Sequence, residues 1–253
     1  MSSDLPTDRI QRMQQAMPGL AVDLVAIAPT ANMRYLLGFA PMMDERACLL
    51  LVGPAEIRLV VPALNADQVE ARTGLQARRW SDAEGPHRAL AEALGELGVG
   101  SGVSLAVDDA MRADTLLLLQ EAARPKACLP AGRLMAPLRM RKSADELQAL
   151  TRAARLADEA LLAGVEACTP GVTEREIADA AAARFREGGA EKIDFTIIAS
   201  GPNGAFPHHE TGDRRLCAGD AIIIDIGATL QGYLSDVTRV VSLGPPSDEL
   251  HDA

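Results

Sequence analysis

The sequence predicts a mixed α/β protein, of the α/β or α+β class, built from two domains. Short apolar runs bounded by Pro, Gly or Asn alternate with helical patterns in the first half, as at residues 24–28, 47–52 and 57–63. In the second half, two long helical patterns come before further apolar runs. This mixture of interleaved and grouped elements is typical of sheets covered by helices.

The first domain is predicted to span residues 1–135. A helical pattern begins near Thr7, and the three apolar runs that follow it are predicted strands. Gly53-Pro54 marks a turn between the second and third strands, so these two form a hairpin. The remaining elements of this domain are a helix over 84–97, a strand over 103–108 and a helix over 113–123.

The second domain is predicted to span residues 136–253. Ser143 precedes Glu146 by three residues, and Thr173 precedes Glu176 by the same interval. Each pair has the spacing of a capping box, which begins a helix by bonding its first free amides. The predicted elements are helices over 143–167 and 173–188, a strand over 194–200, and two strands joined by a turn within 221–244.

The composition and the net charge of the chain argue against several classes of protein function. The 253 residues are 48% hydrophobic, which argues against intrinsic disorder, and they carry 25 basic and 35 acidic side chains. A net charge of −10 makes nucleic-acid binding improbable. The chain shows neither a secretory signal nor an apolar run long enough to span a membrane. Four scattered cysteines are predicted to be buried free thiols of a cytoplasmic protein: Cys48, Cys128, Cys168 and Cys217.

Two aspartates stand out in the last pair of predicted strands. Asp225 interrupts an isoleucine-rich run, where an ionised carboxylate is costly without compensation. If the turn is centred on Leu230 and Gln231, Asp236 lies directly opposite, with Cβ atoms about 5 Å apart. A divalent cation such as Mn²⁺, Co²⁺, Zn²⁺ or Mg²⁺ would compensate the pair. The alternatives are an exposed Asp or a shared proton, and two ligands alone do not make a catalytic metal site.

A polar loop between the predicted strands carries His208 and His209. A histidine on such a loop can move protons or stabilise a developing oxyanion beside a metal-bound water. The alternatives are that both are exposed loop histidines, or that both bind metal. His87 and His251 are predicted to be surface residues.

Several stretches of the chain resemble the pita-bread metallopeptidases, specifically the Xaa-Pro dipeptidase (prolidase) and aminopeptidase P group. The first domain is similar to the creatinase-type N-terminal domain. The catalytic-domain stretches are residues 139–146, 199–208, 219–227 and 232–239, and the N-terminal stretch is 29–39. The resemblance implies a creatinase-like N-terminal domain followed by a pita-bread catalytic domain.

The resemblance also implies a mechanism, namely hydrolysis of Xaa-Pro peptide bonds by a metal-activated water. Two divalent metals, Mn²⁺ first and Co²⁺ or Zn²⁺ as alternatives, lower the pKa of that water and polarise the scissile carbonyl. Asp225 matches a bidentate metal ligand and Asp236 a bridging one, while His208 matches the histidine that contacts substrate. Thr238 is expected to support the ligands. The implied substrate has proline at its second position, and a homodimer is the family expectation.

One departure from the family concerns the remaining ligands, a His and two Glu downstream of the second aspartate. Residues 237–253 hold one of each, Glu249 and His251, which follow the hairpin too closely. We therefore expect the catalytic domain to be truncated at its C-terminus, and the 253 residues alone to bind metal weakly and show no turnover.

Two alternative functions share this fold. One is a metal-free amidinohydrolase of the creatinase type, which lacks the metal-binding aspartates, so the presence of Asp225 and Asp236 disfavours it. The other is a non-catalytic pita-bread module that binds proteins or peptides, and such relatives have typically lost their ligands.

Overall fold

The computed structural model describes residues 7–245 and confirms a mixed α/β chain. Two compact units divide between Arg141 and Lys142. The domain limits predicted from the sequence, with a boundary at 135/136, stay a prediction.

The first unit contains a six-stranded mixed sheet in the order β4-β3-β2-β1-β5-β6. The β1–β2 and β2–β3 pairs are antiparallel, so the predicted hairpin is confirmed, and the other pairs are parallel. The strands are β1 Leu24–Ile27, β2 Leu49–Val52, β3 Ile57–Pro62, β4 Ala77–Trp80, β5 Ser104–Val107 and β6 Ala127–Pro130.

Helices pack against this sheet through two hydrophobic cores. Val25 and Ile27 of β1 belong to one core, and Leu24 and Ala26 belong to the other. Both faces of the strand are therefore buried, which explains why its sequence is continuously apolar rather than alternating. The helices are α1 Thr7–Ala16, α2 Ala31–Leu37, α3 Ala63–Thr73, α4 His87–Glu96, α5 Ala113–Ala123 and α6 Gly132–Met140.

A buried carboxylate organises the N-terminal stretch that carries the family resemblance. Asp108 accepts hydrogen bonds from Thr30 Oγ1 at 2.7 Å, from Asn32 Nδ2 at 3.2 Å and from the Ala110 amide at 3.1 Å. Arg139 then donates to Asn32 Oδ1 at 2.8 Å. Since the polar side chains of this cluster are hydrogen-bonded to one another, we interpret the cluster as a structural contact that holds α2, β5 and α6 together.

The second unit begins with α7 (Ala144–Ala167) and α8 (Glu174–Glu187). Both predicted capping boxes are confirmed. Ser143 accepts from the Glu146 amide while Glu146 accepts from the Ser143 amide, and Thr173 and Glu176 exchange the same bonds. Local sequence therefore fixes where both helices begin.

The sheet of the second unit is antiparallel, with the order β10-β8-β7 and β9 paired to β8. The isoleucines at 222, 224 and 226 are buried in one core with residues of both helices, including Leu156 of α7 and Phe185 of α8. The alternate positions of β8 therefore lie on the other face of the sheet. The strands are β7 Lys192–Ser200, β8 Ala221–Leu230, β9 Tyr233–Leu234 and β10 Val237–Ser242.

The register of the hairpin corrects the predicted pairing of the two aspartates. Leu230 pairs with Tyr233, so the two-residue turn is Gln231-Gly232, not Leu230-Gln231. Asp225 consequently lies opposite Thr238, and the prediction that it directly faces Asp236 is wrong. The reason is backbone geometry. The turn has φ of 52° at Gln231 and 80° at Gly232, as in a type I′ turn, and a turn one residue earlier would give leucine a positive φ.

Replacing Gly232 with alanine is expected to lower the free energy of unfolding by about 1–2 kcal/mol, because an L-residue is strained at positive φ. Urea denaturation measures the change. Gly204→Ala is the control, since its new Cβ would meet only the Ile223 side chain, at 3.5 Å. Equal losses from both variants would contradict the assigned turn.

The cysteine prediction is only partly correct. Cys48 is buried, and burial raises the pKa of its thiol to about 12. Cys168 is half-buried, whereas Cys128 and Cys217 are exposed. No helix within residues 7–245 has the length and apolar character that a membrane crossing requires.

Candidate active site

Asp225 lies near the middle of β8, on the face turned away from the two helices, and is half-buried. The Thr238 hydroxyl donates a hydrogen bond to its Oδ1 at 2.9 Å. Ile197 is its partner on the other side, in β7. The isoleucine run therefore does not bury the carboxylate fully, and one of its oxygens is oriented by a neighbouring strand.

Phe195 and Gly227 form the surface next to Asp225. An added Cβ at Gly227 would meet the Phe195 ring and the Ser235 carbonyl oxygen, both at 2.5 Å. Only glycine fits under the ring at this position, and the ring therefore packs directly on the backbone of β8.

Asp236 lies between β9 and β10, outside both strands, and is exposed. The preceding Ser235 is buried, and its amide donates to the Ala228 carbonyl at 2.9 Å. Asp236 is two residues before Thr238, so it is displaced along the hairpin from the position directly opposite Asp225.

The two loop histidines have different environments. His208 is exposed. His209 keeps only 15% of its side chain accessible, and its Nε2 lies 2.9 Å from Glu174 Oε2. The interpretation that both are exposed loop histidines therefore fails for His209. His87 is exposed, and His251 lies outside the described residues.

Glu174, which the sequence analysis missed, is the most buried charged side chain near this loop, with 0% exposure. Its Oε1 accepts from the Ser200 amide, the Ser200 hydroxyl and Asn203 Nδ2 at 2.8, 2.7 and 2.9 Å. Its Oε2 accepts from His209 and, at 3.3 Å, from the Gly212 amide. Burial opposes ionisation, but the bonds from Ser200, Asn203 and His209 outweigh it and lower the pKa of Glu174 to about 2.

An ion pair continues this network. Arg214 Nη1 donates to the Ser200 hydroxyl at 2.6 Å, and both of its Nη atoms bind the Asp220 carboxylate, at 2.6 and 2.9 Å. The hydrogen bond from Arg214 lowers the pKa of Asp220. Gly201 has φ of 51°, and a Cβ there would lie within 2.7 Å of both charged groups. The close approach of this ion pair therefore requires glycine.

The carboxylates have the right chemistry for hard divalent cations, but their number is insufficient. Within residues 7–245, no group of three or more His, Cys, Asp or Glu side chains is arranged to hold a metal ion. Three protein ligands are the usual minimum for a catalytic site. Asp225 and Asp236 therefore do not form a complete metal site with other described residues.

Comparison with known proteins assigns the family. Residues 148–253 match the metallopeptidase family M24 model, and residues 9–141 match the creatinase/prolidase N-terminal domain model. The crystal structure of a recombinant prolidase from Thermococcus sibiricus superposes with a TM-score of 0.88 at 32% identity, covering 100% of this chain and 69% of the prolidase. The chain belongs to the M24 metallopeptidases. The predicted order, a creatinase-like N-terminal domain and then a pita-bread catalytic domain, is confirmed.

Two curated relatives of this M24 chain carry functional names. A Xaa-Pro dipeptidase of Pyrococcus horikoshii is 29% identical over 97% of the chain, and a probable dipeptidase PepE of Mycobacterium tuberculosis is 36% identical over 89%. The chain spans 67% of the length of the first and 60% of the second. Membership of the M24 metallopeptidases implies divalent metal ions as cofactors.

Proposed function

We propose that the protein that contains this chain is a metal-dependent exopeptidase that hydrolyses Xaa-Pro peptide bonds. The observation that carries the proposal is Asp225, a carboxylate that Thr238 orients on the face of β8 turned away from α7 and α8. It lies within the stretch that matches the M24 metallopeptidases. Dipeptidase activity is favoured over aminopeptidase P activity, because the named relatives above are dipeptidases.

The proposed cofactor is a pair of divalent metals, with Mn²⁺ first and Co²⁺ or Zn²⁺ as alternatives. Asp225 and Asp236 would supply hard oxygen ligands, and the family resemblance implies a further His and two Glu downstream of them. When bound, such ions lower the pKa of a water and polarise a carbonyl. The described residues alone do not complete this centre.

His208 is the proposed catalytic contact of this chain with the peptide. Its exposed imidazole has room to approach a substrate, and an imidazole can give or accept a proton near neutral pH. Thr238 holds Asp225 from the neighbouring strand and is proposed to orient that carboxylate rather than to contact the substrate.

The experiment is a proline-release assay with Xaa-Pro dipeptides and longer Xaa-Pro peptides, with added Mn²⁺ or with a chelator. It compares the 253-residue chain with any longer protein that the same reading frame encodes. We expect metal-dependent hydrolysis by the longer protein and none by the 253 residues. Creatine as substrate tests the metal-free amidinohydrolase alternative.

Two outcomes would overturn the proposal. Hydrolysis of creatine that is unaffected by the chelator, without hydrolysis of Xaa-Pro peptides, would favour the metal-free amidinohydrolase. Peptide binding without any hydrolysis or metal uptake would favour the non-catalytic module. Robust peptidase activity of the 253 residues alone would instead contradict the expected need for further ligands.

Two further expectations belong to the same proposal. A homodimer is expected, and sedimentation velocity would test it. A cytoplasmic location is expected from the unpaired cysteines, because disulfides are rare in reducing compartments. Fractionation of the source cells would test it.

A further inference from the structure

The Glu174 carboxylate ties the first turn of α8 to the loop that carries both histidines. Its five hydrogen-bond partners among the described residues are all donors, and they belong to four residues along 200–212, namely Ser200, Asn203, His209 and Gly212. The backbone adds two bonds, from the Glu174 amide to the Arg214 carbonyl and from the Arg175 amide to the Gly212 carbonyl, at 3.1 and 3.0 Å. A helix terminus and a loop are thus joined through one buried side chain.

The exposed His208 lies between two of these attachment points. Asn203 binds Glu174 five residues before it, and His209 binds Glu174 immediately after it. Further along, Thr211 donates to the Thr196 carbonyl at 3.0 Å. The backbone that carries His208 is therefore held on both sides, although the imidazole itself is exposed.

We propose that Glu174 and His209 are positioning residues that fix the loop on which His208 is presented. The catalytic part of this inference rests on the proposed function, in which His208 contacts the peptide. The structural part, that the Glu174–His209 contact orders the loop, stands independently of that activity.

The network requires a carboxylate at position 174. A carboxylate only accepts hydrogen bonds, so His209 Nε2 must carry the proton that lies between them. The Ser200 hydroxyl donates to Glu174 and accepts from Arg214, which fixes its direction too. A glutamine would turn an NH₂ group towards donors and leave at least one bond unmade.

The test measures hydrogen–deuterium exchange of amides 200–213 in the 253-residue chain. Glu174→Gln and His209→Leu are each expected to speed exchange there by about tenfold or more. Each variant removes hydrogen bonds that oppose local opening of the loop, so the loop opens more often. His209→Gln keeps a side-chain N–H donor and is expected to retain most of the protection. The control is Ser143→Ala, which removes the cap of α7 and leaves the loop contacts intact.

Unchanged exchange in His209→Leu would overturn the proposal, as would equal effects from Ser143→Ala. Steady-state kinetics on a form of the protein that hydrolyses Xaa-Pro peptides provide a second test. His209→Leu should lower kcat by about tenfold to a hundredfold with a smaller change in KM, and His209→Gln should restore it. If wild type does not hydrolyse peptides, the proposed function fails while the exchange result still decides the positioning role.

Discussion

Replacing Glu174 with glutamine is expected to lower the free energy of unfolding by about 3 kcal/mol at neutral pH. The folded state holds the ionised carboxylate through five hydrogen bonds, and its pKa falls from 4.5 to about 2. The unfolded chain therefore binds the proton more tightly than the folded chain. Ionisation of this one side chain consequently stabilises the fold, even though the side chain is completely buried.

The same pKa difference predicts the pH dependence of the loss. Stability from Glu174 is fully present above pH 4.5 and is lost as the pH falls towards 2, because the proton then binds both states. The difference in the free energy of unfolding between wild type and Glu174→Gln should therefore be constant near neutral pH and become smaller in acid. Urea denaturation at a series of pH values from about 7 to about 3.5 measures it.

Glu176→Gln is the matched control, since it makes the same chemical change in the same helical turn. Glu176 is exposed and its hydrogen bonds with described residues lie within its capping box, so Glu176→Gln should lower the free energy of unfolding by less. A difference for Glu174→Gln that does not become smaller in acid would contradict the role assigned to the ionised carboxylate. A neutral-pH loss no larger than that of Glu176→Gln would do the same.

Local signals in the sequence predict the helix starts of the second unit but not its buried charge. The capping boxes at Ser143 and Thr173 depend on residues three apart, so one short stretch specifies them. Glu174 looks like an ordinary acidic residue of a first helical turn. Its five donors come from residues 26 to 38 positions away, and only folding brings them together.

The hairpin shows how a small difference in turn geometry changes a predicted site. Asp225 was correctly predicted to lie in a strand paired with the segment after the turn, yet its opposite residue is Thr238. With the turn at Gln231-Gly232, the residue opposite Asp225 is two positions further along the second strand than predicted. Because side chains alternate with a period of two, each side chain still lies on the predicted face of the sheet. Gly232 is the signal that was available, since a type I′ turn favours glycine at its second position.

Replacing Asp225 with alanine is expected to abolish metal-dependent hydrolysis of Xaa-Pro peptides by an active form of the protein, because it removes a proposed ligand outright. Thr238→Val keeps the carboxylate but removes the hydroxyl that donates to its Oδ1. Loss of such a supporting partner typically costs about 10- to 100-fold in metal affinity or activity. Metal affinity by calorimetry and kcat/KM for an Xaa-Pro dipeptide measure both variants.

The double variant separates ligation from general damage to the sheet. If Thr238 acts only through Asp225, adding Thr238→Val to Asp225→Ala changes metal affinity no further, so the two effects are strongly non-additive. Thr229→Val is the matched control, because Thr229, in the same strand as Asp225, donates a similar bond, of 2.7 Å, to the Asp194 carboxylate. It should leave metal affinity unchanged. Additive losses, or an equal loss from Thr229→Val, would mean that Thr238 stabilises the hairpin rather than orienting a ligand.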